Sequence, residues 1–99
     1  MLNLYCIADD QPKPRNLNPF PLPYADSMEE ETFENLQEKG IISERFDVYS
    51  TFRWGTDLIE QMQQTIQNKK LHHDADVREL LKLFNIAKEN KSGLIAYGD

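Results

Sequence analysis

The stretch Leu2-Asn3-Leu4-Tyr5-Cys6-Ile7-Ala8, closed by Asp9-Asp10, decides the fold. In an extended chain Leu2, Leu4, Cys6 and Ala8 share one face, and Tyr5 and Ile7 share the other. A strand that is apolar on both faces belongs inside a sheet rather than at a solvated edge. A second apolar segment, Leu94-Ile95-Ala96-Tyr97, follows a turn at Ser92-Gly93. Both are too short to be stable alone, so the first and last strands are expected to be close neighbours.

Between these ends the chain is well punctuated. All five prolines fall in residues 11–24, which excludes a helix or a central strand there. The alternation Pro19-Phe20-Pro21-Leu22-Pro23-Tyr24 favours an extended path, but lacks the spacing of three that an SH3-type ligand needs. Phe20, Leu22 and Tyr24 are expected to pin this ordered loop to the domain. A helix follows, with Ser27 as its cap, Glu30 completing a capping box and Gly40 as its stop. Its buried stripe is Met28, Thr32, Phe33 and Leu36. Residues 41–49 read as a second strand, Phe46 and Val48 alternating with Arg45, Asp47 and Tyr49.

Beyond Tyr49 two readings compete. Alternation continues through Phe52 and Trp54, yet Trp54, Leu58, Met62 and Ile66 also recur at intervals of four. The second pattern favours a helix over residues 51–69, although Gly55 weakens its first turn. Asp74 or Asp76 opens a last helix, apolar at Val77, Leu80, Leu81, Phe84 and Ala87, with Lys88 and Lys91 at the negative end of its dipole. The expectation is one α/β (α+β) domain over residues 1–99, a three-stranded sheet with three helices in the order β-loop-α-β-α-α-β. Its core should include Leu4, Ile7, Phe33, Leu36, Leu58, Met62, Leu80, Leu81, Phe84 and Ile95.

Composition narrows the function classes. A chain of 99 residues with a lone cysteine, Cys6, cannot form an internal disulfide, which points to a reducing, cytoplasmic setting. No basic leader or long apolar run suggests a membrane. The net charge of −6 argues against nucleic-acid binding. His72-His73 with Asp74 and Asp76 carries metal-ligand types, but no further cluster lies nearby in sequence to close a site. A solvated turn is the reading taken, with no metal. Asp9-Asp10 sits where a strand end could hold magnesium for a phosphorylated substrate, the rival enzyme reading. Cys6 within an apolar strand is not a reactive thiol, and no phosphate loop or nucleophile elbow is present. The expectation is a protein with no catalytic residues and no cofactor. Trp54 beside Arg53 could anchor an interface, but burial in the core is the preferred reading.

The charge itself is localised. Acids and bases balance in residues 1–24 and again in 51–99, whereas residues 25–50 hold eight acids against Lys39 and Arg45. On the expected helix Asp26, Glu30, Glu34 and Glu38 recur every four residues as a ridge flanked by Glu29 and Glu31. Like charges so spaced destabilise a helix by roughly 0.2–0.5 kcal/mol per pair. Such a ridge is either a merely soluble face or a surface that steers a basic partner.

The ending Ser92-Gly93-Leu94-Ile95-Ala96-Tyr97-Gly98-Asp99, after an amphipathic helix, resembles the closing segment of small acidic bacterial immunity proteins of polymorphic toxin systems. Phe52-Arg53-Trp54 is similar to a stretch of theirs too, so the resemblance covers about the last half of the chain. It implies a non-catalytic inhibitor that occludes a toxin, for instance a nuclease domain. An acidic mimic of nucleic acid would share the ridge, and a plain assembly subunit would show an exposed apolar patch instead.

Overall fold

In the computed structural model, which describes residues 1–15 and 21–98, the chain runs β1 (Leu2–Ile7), β2 (Tyr24–Met28), α1 (Glu30–Glu38), β3 (Thr51–Trp54), α2 (Thr56–Lys69), α3 (Ala75–Glu89) and β4 (Gly93–Gly98). The class is α+β. Four strands, not three, form one antiparallel sheet in the order β2-β1-β4-β3. β1 and β4 pair from Leu2↔Gly98 to Ile7↔Gly93 and take the two central places, as their apolar faces require.

One face of the sheet carries Leu2, Leu4, Cys6, Trp54, Leu94 and Ala96 into the main core. The helices cover it with Phe33, Leu36, Met62, Ile66, Leu80 and Phe84. On the other face Ile7 and Ile95 are buried against Leu22, flanked by Tyr5 and Tyr97. Leu22 thus pins the proline-rich stretch, and Tyr24 meets Tyr5 edge-on at 5.4 Å. Phe20 lies outside the described residues. Of the ten residues expected in the core, Leu58 and Leu81 are only half-buried, packed on its flank; the other eight are buried.

Three local expectations are overturned. Ser27 does not cap a helix: it lies in β2, paired with Asn3 of β1, and the helix N-cap is Glu29, without a side-chain cap bond. The reason is tertiary. The outer edge of β1 needs backbone partners, and pairing Leu2 with Met28 supplies them while burying Met28 to 3% exposure. The Gly40 stop does form: its φ is 75°, a left-handed conformation suited to glycine, and the amides of Ile41 and Ile42 return to the Leu36 carbonyl at 3.0 and 3.2 Å.

Residues 41–50 form turns rather than a strand. Asp47 accepts the Tyr49 amide at 2.9 Å, and the Ser50 hydroxyl donates to the Asp47 carbonyl at 2.8 Å. These local bonds give the backbone an alternative to a ladder. Ile41, Ile42 and Val48 still anchor the segment in the core. Its end crosses β4 so closely that a Cβ on Gly98 would lie 2.1 Å from the Val48 carbonyl oxygen. The Gly98 amide bonds the Ser50 carbonyl at 3.0 Å.

The third correction concerns Phe52 and Trp54, which lie on a strand. β3 pairs from Thr51↔Tyr97 to Trp54↔Leu94, and helix α2 begins only at Thr56. Trp54 is buried as expected, at 1% exposure, but through period-two alternation rather than helical spacing. α3 follows its reading closely: Asp74 caps it, accepting the amides of Asp76 and Val77 at 3.0 and 3.1 Å. Among the described residues no helix is long and apolar enough to cross a membrane.

Candidate partner-binding surface

The shorter α1 keeps part of the acidic ridge and loses the rest. Glu30, Glu34 and Glu38 recur at intervals of four on the helix, and Glu31 stands beside them in its first turn. Glu29 is the exposed N-cap. Asp26 leaves the ridge altogether. It sits on β2 opposite Leu4, half-buried, its carboxylate taking the Ser27 amide at 2.8 Å.

The two bases of this segment do not neutralise the ridge. The Lys39 ammonium reaches to α3, meeting Asp74 at 2.8 Å and Asp76 at 3.1 Å. Asp74 is held below the ordinary carboxylate value, first by the Lys39 bond and then by the Val77 amide. Lys39 is correspondingly raised by its bond to Asp74. The Arg45 guanidinium lies over the Phe46 ring, 4.7 Å from its centroid. Among the described residues, Glu30, Glu31, Glu34 and Glu38 form no ion pair.

The turns of residues 41–50 add two groups that the sequence reading did not place here. Tyr49, 59% exposed, donates its hydroxyl to the Glu30 carboxylate. That bond raises the phenol's pKa above its ordinary value; partial burial and the negative charges of Glu30, Glu34 and Asp47 push the same way. Tyr49 and Asp47 therefore belong to the same acidic surface as α1. No local pattern announces this, because Tyr49 is a turn residue brought onto α1 by packing.

The rival sites look different in three dimensions. Asp9 receives both the amide of Thr56, at 3.0 Å, and its hydroxyl, so it caps α2 from the turn after β1 in place of Gly55, which has no side chain to do so. Its pKa is lowered mainly by the Thr56 hydroxyl and then by the Thr56 amide. Arg53 fastens the same corner through the Ala8 carbonyl at 2.6 Å. Asp10 is exposed beside it. His72 and His73 are exposed in the turn between α2 and α3, with Asp74 and Asp76 already engaged by Lys39. Among the described residues no group of three histidine, cysteine or carboxylate side chains is placed to hold a metal. Cys6 is buried in β1. Compared with protein-family models, curated proteins and solved structures, the chain has no significant match.

Proposed function

We propose that this chain is a binding protein that silences a basic protein partner without catalysis, in the manner of an immunity protein directed at a bacterial toxin. The observation that carries the reading is the uncompensated acidic surface of α1. Glu30, Glu34 and Glu38 stand in line while Lys39, which follows Glu38 in the chain, pairs instead with Asp74 and Asp76. Tyr49 supports it, as an exposed ring set among these acids is the kind of side chain that anchors interfaces. A nuclease holds phosphates with lysine and arginine, so an acidic face of this kind can compete for the same groups. The test is co-purification with the product of the neighbouring gene, followed by assay of that product's activity with and without this chain. Stoichiometric inhibition that is lost in a Glu34→Lys/Glu38→Lys variant of unchanged melting temperature is the expected result. Full inhibition by that variant would contradict the reading.

A further inference from the structure

A cleft of about 530 Å³ lies between the first half of α2 and the last turns of α3, with none of the α1 acids in its lining. We infer that this cleft binds a small amphiphile carrying one carboxylate, an activity separate from the partner binding proposed above.

Three features point there. The floor is apolar: Ile59, Phe84 and Ala87 line it, at 7%, 1% and 1% exposure. Its volume falls in the range of about 300–1,000 Å³ typical of small-molecule sites. The α3 lip carries Lys88 and Lys91, both exposed and neither in an ion pair among the described residues. Lys88 stands in the last turn of α3, and Lys91, just past the Asn90 C-cap with a left-handed φ of 51°, lines the same cleft. Their two positive charges exceed the roughly half charge of the α3 carbonyl end nearby.

The opposite lip sets the selectivity. Glu60 and Gln63 line it from α2, and among the described residues Glu60 forms no ion pair. Glu60 leaves only a small positive excess, which suits one carboxylate and disfavours a multiply charged anion. The amide of Gln63 can donate to the second carboxylate oxygen. An apolar tail on the floor with its carboxylate at Lys88 and Lys91 gives both ammonium groups and the Gln63 amide a partner and leaves Glu60 to solvent.

Decanoate is the probe, compared with decanol and decyltrimethylammonium, which share its tail but not its charge. Calorimetric titration of the whole native chain should show decanoate binding about tenfold more tightly than either, the effect of one charge-assisted contact. Methyl resonances of Ile59 and Ala87 should shift, while those of Leu2 and Leu4 on the sheet stay in place. Lys88→Gln with Lys91→Gln should abolish the preference for decanoate over decanol. Decanol binding as tightly as decanoate to the native chain would overturn the proposal. So would no binding at all, or methyl shifts scattered over the molecule.

Discussion

The Lys39 ammonium stands 2.8 Å from Asp74 and 3.1 Å from Asp76, tying the C-cap of α1 to the first turn of α3. The pair is about a quarter exposed, so solvent screens it and its worth to stability is modest. Its pH signature is nonetheless definite. The Asp74 and Asp9 carboxyls are both depressed below their ordinary 3.8, so the unfolded chain binds those protons more readily. Their stabilisation is full above that value and is lost as pH falls through the folded values. Lys39 is raised above 10.5, so its contribution is full below 10.5 and is lost as pH rises through the folded value. Asp9→Ala should lower the melting temperature by a few degrees at pH 7, because Thr56 loses its cap. The difference from the native chain should close as pH drops below 3.8; a difference that stays constant there would dissociate Asp9 from the cap. Gly98→Ala is a steric prediction. Its Cβ would meet the Val48 oxygen at 2.1 Å and the Tyr49 carbonyl carbon at 2.6 Å. Urea unfolding should show a loss of roughly 1–3 kcal/mol, and an unchanged midpoint would mean residues 48–50 do not cross β4.

At the scale of elements, the ends of the chain were legible and the edges of the sheet were not. β1 and β4 announce themselves because residues such as Leu4, Ile7, Leu94 and Ile95 are apolar on both sides of an extended chain. α3 was legible through Asp74 and its apolar stripe, and the end of α1 through Gly40. The edge strands carry mixed signals. In β2, Asp26 interrupts the apolar pattern, and Ser27 with Glu30 imitates a capping box. Phe52 and Trp54 fit period two as well as Trp54 and Leu58 fit period four, so only pairing with β4 decides between them. The candidate site shows the same division. Glu30, Glu34 and Glu38 follow from sequence spacing, whereas Tyr49 and Asp47 arrive through turns that no periodicity encodes. Because β4 lies between β1 and β3, removing residues 94–99 should leave β3 without a partner strand and β1 with β2 alone. Circular dichroism should then show no cooperative unfolding transition. A truncated chain with the native melting temperature would contradict the sheet order.

For the molecule as a whole, the relevant quantity is where charge remains after internal pairing. The net −6 originates in residues 25–50, and the fold directs Lys39 out of that segment toward α3 while adding Asp47 beside Tyr49. The result is an acidic surface around an exposed aromatic ring, far in character from the lysine-lipped cleft between α2 and α3. Steering by such a surface acts on association rates and is screened by salt over about 10 Å at 0.1 M ionic strength. The most direct test is stopped-flow association of the native chain and of Glu34→Lys/Glu38→Lys with the basic partner across a salt series. The account predicts that the native rate falls steeply with salt, that the variant associates at least tenfold more slowly at low salt, and that the two rates converge at high salt. Equal rates for the two proteins at low salt would contradict it.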